Sequence, residues 1–281
     1  MNRVVDSHLH VWDLEVSDYA WLGPRHGALY RSFGADEAAG ELATAGVEGA
    51  VLVQAEDSFR DTTYLLDVAA THPFVTGVVG WVRLDEPDTA ERQLEELAGH
   101  HAFKGVRHLV HDDPREDFLA LTAVRTSLGL LADRGLPFDV PDAWPRHLAA
   151  ATELARALPA LTVVIDHLAK PPRGGEGIAE WEARLRSTAE QPNTVAKVSG
   201  LQVPGQPFTV EALRPVLHVA LEAFGSDRLM YGSDWPMTVT AGGYLPHWQV
   251  VDALIRELSP HEQEDLRHRT ATEIYALEAD R

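Results

Sequence analysis

Eight short β-branched runs recur along the chain, and most are followed by a longer stretch whose apolar residues return at threes and fours. The runs cover 4–11, 49–55, 75–82, 103–110, 136–140, 161–167, 195–201 and 229–233. Helical periodicity marks 90–98, 118–132, 148–158, 178–189 and 210–224, with closing helices over 250–258 and 262–277. Near-continuous apolar strands between helices belong to a parallel sheet covered on both faces. Eight such units in 281 residues predict an α/β chain folded as a closed (β/α)8 TIM-like barrel, a single domain over 1–281. A doubly wound open sheet is the runner-up, but it would place Gly-x-Gly-x-x-Gly after the first strand, where this chain has His8-Leu9-His10. The longest irregular piece, 13–33, carries Tyr19, Trp21, Pro24 and Tyr30 and is predicted to lie over the barrel mouth.

Composition narrows the function classes. No run of about 18 apolar residues exists, so no spanning helix is expected, and Met1-Asn2-Arg3 leads into a strand without a secretory apolar region. These features predict a cytoplasmic protein. The chain has no cysteine, so disulfides, thiolate nucleophiles and Cys-held zinc are excluded, and any metal must be held by His and carboxylates. With 24 basic and 43 acidic residues the formal charge is −19, which disfavours nucleic acid and anionic membranes as partners. The expected partner is a small molecule.

Active sites of (β/α)8 barrels gather at the carboxyl ends of the strands, and polar residues stand there. His8 and His10 close the first strand, Arg107 and His108 lie toward the end of the fourth, and Asp139 and Asp142 accompany the fifth. His167 ends the sixth and Asp234 the eighth. In a strand, residues i and i+2 share a face, so His8 and His10 can converge on one ion or one substrate. Adjacent Arg107 and His108 face opposite sides unless the strand end bends. Lys197, inside the seventh strand, needs a partner because an unpaired buried ammonium is costly.

The runs Asp6-Ser7-His8-Leu9-His10-Val11-Trp12, Lys104-Gly105-Val106-Arg107-His108 and Asp166-His167-Leu168-Ala169-Lys170-Pro171 carry a family likeness, continued by Lys197-Val198-Ser199-Gly200-Leu201 and Tyr231-Gly232-Ser233-Asp234-Trp235-Pro236. Together they resemble the amidohydrolase superfamily (amidohydrolase family 2), and within it the sugar-lactonase and 2-pyrone-4,6-dicarboxylate lactonase branch. The resemblance implies a distorted barrel that hydrolyses a cyclic ester, with Asp234 activating water. Binuclear members of the superfamily carry a His ending the fifth strand. Here that strand reads Leu136-Pro137-Phe138-Asp139-Val140, so one divalent ion or none is expected.

Lactone hydrolysis needs an activated water, a stabilised carbonyl oxygen and a proton for the departing alkoxide. Asp234 is the candidate for the first and third tasks, with His167 and Arg107 as further catalytic groups. Two arrangements are open for the carbonyl. Either His8, His10 and Asp234, with or without His167, hold a Zn- or Mn-like ion, or the imidazoles and Arg107 act on the carbonyl directly. Arg107, His108, Trp12 and Trp235 are the candidate substrate contacts, Arg107 gripping a carboxylate or ring oxygen bidentately. No organic cofactor is expected. The expected role is a lactonase-like hydrolase in carbohydrate catabolism. A metal-dependent decarboxylase of the same superfamily and a non-catalytic ligand-binding barrel are the alternatives.

Overall fold

The computed structural model describes residues 3–278, so the expectation for Met1 and Asn2 lies outside the described residues. Eight parallel strands form one sheet in chain order: β1 Val5–Leu9, β2 Gly49–Val53, β3 Val75–Gly80, β4 Phe103–Arg107, β5 Phe138–Val140, β6 Val163–Ile165, β7 Thr194–Val198 and β8 Leu229–Tyr231. A helix follows each strand: α1 Ala35–Ala45, α2 Phe59–Thr71, α3 Pro87–Leu97, α4 Thr122–Asp133, α5 Leu148–Ala157, α6 Ile178–Ala189, α7 Val210–Phe224 and α8 Tyr244–Ile255. At the end of β1 and beyond the end of β8 the sheet closes through a parallel bridge between Leu9 and Trp235. There the His10 N–H donates to Trp235 O at 2.7 Å, and the Asp234 N–H donates to His8 O at 2.8 Å. The expected (β/α)8 barrel is present, and its seam closes at the residues with ligand chemistry.

Two apolar clusters hold the fold. Val5, Val51, Val53, Val79, Val164, Val195 and Met230 fill the lower barrel, with Ala271, Tyr275 and Leu277 of the closing segment packed against them. The larger cluster lies between barrel and helices, where Trp181, Leu185, Leu213 and Leu217 are buried. Branched side chains of this kind fill a barrel interior in layers, leaving a packed core rather than a pore.

A bulge in β1 sets what faces inward. Between Asp6 and Leu9 the strand advances three residues while β2 advances two, from Ala50 to Leu52. Such a bulge resets the in–out alternation. Val5 therefore packs inside the barrel while Leu9, four residues on, packs in the outer core. With Leu9 outward, His8 and His10 face inward together.

The helices differ from expectation in four places. Helix α8 starts at Tyr244, upstream of the expected 250, because Pro246 falls in the first turn, where a missing N–H costs no bond. The expected closing helix over 262–277 is broken into Pro260–Glu264, a π-turn Asp265–Arg269 and Thr270–Ile274. Helices α1 and α2 lie outside the segments read as helical above. Several strands stop short, β6 at Ile165 because His167 to Lys170 turn left-handed, with φ between 51° and 61°. Among the described residues no helix is long and apolar enough to cross a membrane.

Candidate active site

The inward turn of His8 and His10 places their Nε2 atoms 3.1 Å apart. Asp234 Oδ1 lies 3.5 Å from His10 Nε2 and 3.9 Å from Nε2 of both His8 and His167. Imidazoles at and just after the ends of β1 and β6 and the carboxylate after β8 thus meet at one point. The backbone is shaped for this meeting: His167 has φ 57° and Asp234 φ 60°, both in the left-handed region. An L-residue there costs about 1–2 kcal/mol, and such strain collects at functional sites. Two glycines make room. A Cβ at Gly232 would stand 2.6 Å from His8 Cβ, and one at Gly200 would stand 2.4 Å from His167 Nδ1 and 2.8 Å from Asp234 Oδ2.

Hydrogen bonds behind the cluster orient the rings. His10 Nδ1 lies 2.8 Å from Val53 O, and a carbonyl only accepts, so Nδ1–H donates to it and Nε2 is the nitrogen turned toward Asp234. His167 Nδ1 pairs with Ser199 Oγ at 2.8 Å. Burial drives both His8 and His167 well below the usual imidazole range, so both rings are neutral near pH 7.

Beneath the cluster, fully buried Lys197 donates to Asp139 Oδ2 at 2.6 Å and lies 3.1 Å from His8 Nδ1 and 3.2 Å from Asp166 Oδ1. The partner that Lys197 needs is therefore a pair of carboxylates. Tyr275 donates to the same Asp139 oxygen at 2.8 Å. Burial alone raises Asp166, but Lys197, His8 and Arg107 outweigh it and hold this carboxylate well below its usual range.

A cavity of about 280 Å³ opens above the cluster. His10, Trp12, Arg107, His167 and Asp234 line it, as do Trp21, Arg25 and His26 of the 13–33 loop, which lies at the mouth. Arg107 is largely committed: Nη1 pairs with Asp166 Oδ2 at 3.2 Å and Nη2 donates to Gln54 O at 3.1 Å, leaving only Nε without a partner. Two expected contacts do not line the cavity. His108, on the opposite side of β4 from Arg107, accepts from Trp81 Nε1 at 3.1 Å, pairs with Asp113 at 3.1 Å and stacks on Phe118 at 4.0 Å. Trp235 is fully buried with its ring edge against Phe33. Sequence reasoning left Lys170 without a role and gave Asp142 none, yet both line the cavity, as do His111 and Met237.

The donor set fits a metal. Two ligands held about 2.0–2.1 Å from one tetrahedral zinc stand about 3.3–3.4 Å apart, close to the 3.1 Å between the His8 and His10 nitrogens. An Nδ1–H donated to a backbone carbonyl, as in His10, is the usual support of a ligating imidazole. His8, His167 and Asp234 also offer three ligand atoms within 4.8 Å of one another.

The chain matches the amidohydrolase family over residues 5–277. It belongs to that family. A relative named L-fucono-1,5-lactonase from Burkholderia ambifaria is 35% identical to this amidohydrolase over 241 residues, covering 85% of this chain and 82% of the relative. A second protein of that name, from Burkholderia multivorans, is 30% identical over 97% of this chain and 96% of its own. A crystal structure of an amidohydrolase from Burkholderia multivorans with bound zinc superposes with a TM-score of 0.89 at 30% identity, covering 98% of this chain and 100% of that one. The 5-carboxyvanillate decarboxylase of Sphingomonas paucimobilis, at 15% identity, TM-score 0.73 and coverage of 99% and 100%, shares the fold alone.

Proposed function

We propose that this amidohydrolase is a cytoplasmic hydrolase that opens a sugar-acid lactone in carbohydrate catabolism, with Asp234 as the group that activates water. The observation that carries the reading is the approach of Asp234 Oδ1 to three imidazole Nε2 atoms at the floor of one cavity. Two relatives with lactonase names, one covering nearly the whole chain, support the reaction class.

Asp234 takes a proton from a water on the cavity floor and returns it to the ring oxygen as the ester bond breaks. His167, neutral and anchored through Nδ1 to Ser199, presents Nε2 to the lactone carbonyl. His10 is held by Val53 O so that its Nε2 faces the same water. A divalent ion held by His8, His10 and Asp234 would supply Lewis-acid polarisation of the carbonyl and a lowered water pKa. Arg107 contributes its positive charge at the floor and one free Nε–H; its Nη1 secures Asp166, which in turn stands 3.3 Å from His8 Nδ1.

The decarboxylase reading has less support, because the strand-five position where a further ligand would sit is Asp139, bound to Lys197 and Tyr275. A panel of aldonolactones read by proton release with a pH indicator tests the proposal. Acid release on one or more of them is expected. Silence across the panel, or carbon dioxide evolution from aromatic carboxylates instead, contradicts it.

A further inference from the structure

Three polar atoms of cavity-lining residues are buried without a hydrogen-bond partner: Arg107 Nε, His111 Nδ1 and Asp142 Oδ1. Asp142 is the most telling of them. A carboxylate only accepts hydrogen bonds, and Oδ1 has no donor in bonding geometry, although it stands 3.5 Å from Lys170 Nζ and 3.9 Å from His167 Nε2. The residue is also held left-handed, at φ 41°, directly after Pro141. Lys170 ends the left-handed turn that begins at His167. Two loops, after β5 and after β6, thus spend strained backbone to bring an acceptor and a donor together on the cavity wall.

We propose that Asp142 and Lys170 form a hydroxyl-recognition pair that selects uncharged, polyhydroxylated lactones and turns away carboxylated ones. This deepens the lactonase reading and rests on it for the ring that the hydroxyls decorate. A sugar hydroxyl is both donor and acceptor: its O–H can satisfy Asp142 Oδ1 while its oxygen accepts from Lys170. The pair sums to zero charge, and Arg107 is matched by Asp166. A substrate carboxylate at this wall would bring an anion against Asp142 with no unpaired buried cation to receive it. Arg25 is the remaining cation on the wall, and it is exposed, where screening weakens its pull. Trp21 and Met237 add apolar surface for the C–H side of a sugar ring.

The test compares wild type with Asp142→Asn and Lys170→Asn, since Asn is at ease in left-handed backbone. Three lactones are used: a hydroxylated 1,5-aldonolactone, unsubstituted δ-valerolactone and a carboxylated six-membered lactone. Asp142→Asn should lower kcat/KM for the aldonolactone by about tenfold or more, mostly through KM. It should leave δ-valerolactone within about twofold and raise kcat/KM for the carboxylated lactone, a gain that misfolding cannot produce. Lys170→Asn should weaken the aldonolactone and, by leaving Asp142 unbalanced, the carboxylated lactone, while δ-valerolactone stays within about twofold. An equal fall on all three lactones, or no change on the aldonolactone, overturns the proposal. Calorimetric binding of a hydroxylated 1,5-lactam against plain δ-valerolactam separates this proposal from the reaction itself. If wild type opens no lactone yet prefers the hydroxylated lactam and Asp142→Asn erases the preference, the recognition pair stands and the lactonase reading falls. If wild type binds both lactams alike, the pair falls whatever lactone is opened.

Discussion

Lys197 Nζ lies 2.6 Å from Asp139 Oδ2 with both side chains fully buried, directly beneath the cavity floor. The same ammonium lies 3.2 Å from Asp166 Oδ1 and 3.1 Å from His8 Nδ1, so it pairs with two interior carboxylates and shares Asp166 with Arg107. Breaking a buried ion pair from one side leaves an uncompensated charge. Lys197→Met should therefore cost about 3–5 kcal/mol in urea or guanidinium unfolding. The double variant Lys197→Met, Asp139→Leu should recover part of that loss. A single variant as stable as wild type would contradict the role of the pair.

Gly200 is the position where the backbone leaves least room for a side chain near the site. An added methyl would press on His167 Nδ1 and Asp234 Oδ2, and φ of +55° disfavours any L-residue. Gly200→Ala should cost about 1–2 kcal/mol of stability from backbone strain. Displacement of His167 and Asp234 should lower kcat by at least about tenfold, since small misplacements in a site can cost as much as a hundredfold. Normal turnover with reduced stability would mean that the site relaxes around the methyl.

His247, in α8, supplies a pH dependence away from the metal-ligand cluster. It is buried, stacks on Phe208 at 5.0 Å and faces the Tyr231 ring at 6.3 Å. Burial lowers it to about 3, while the unfolded chain titrates near 6.5. Because the unfolded state takes up the proton first, this residue's contribution is full above pH 6.5 and is lost as pH falls toward 3. Between pH 7 and pH 4 the loss amounts to about 3 kcal/mol. His247→Phe should remove that part of the acid slope in unfolding experiments run in parallel with wild type. Identical slopes would contradict the burial argument.

Metal content is a separate test of the donor set. Zinc or manganese titration of chelated protein should saturate at one ion per chain, because Asp139 is engaged by Lys197 and does not complete a second site. His10→Ala should weaken binding by at least about tenfold, comparable to loss of ligand support in other sites. Two ions per chain would contradict the assignment.

Much of this architecture is legible in the sequence. The eight strands are marked by β-branched runs, and His8, His10, His167 and Asp234 are placed together by their positions at strand ends. Helix α1 escapes notice because its core-facing residues include Ala35 and Ala38, which barely register as apolar periodicity. Helix α2 buries Asp61 and Thr62 on its inner face, so polar residues interrupt the pattern there. The β1 bulge leaves no mark either: Val5 and Leu9 look alike in sequence and end in different cores. Asp142 and Lys170 are legible as strand-end residues, but their pairing depends on two left-handed turns that local propensity does not forecast. Trp235 and His108 look like site residues by adjacency, yet their neighbours Asp234 and Arg107 take the inward positions.

The most direct test of the account is the turnover of Asp234→Asn beside wild type, measured by proton release on an aldonolactone that wild type opens. A general base contributes about 10²–10⁴-fold, so kcat should fall by that factor while unfolding stability and lactam binding stay near wild type. A variant that opens the lactone at close to the wild-type rate would contradict Asp234 as the water-activating group, and with it the assignment of ester hydrolysis to this cluster.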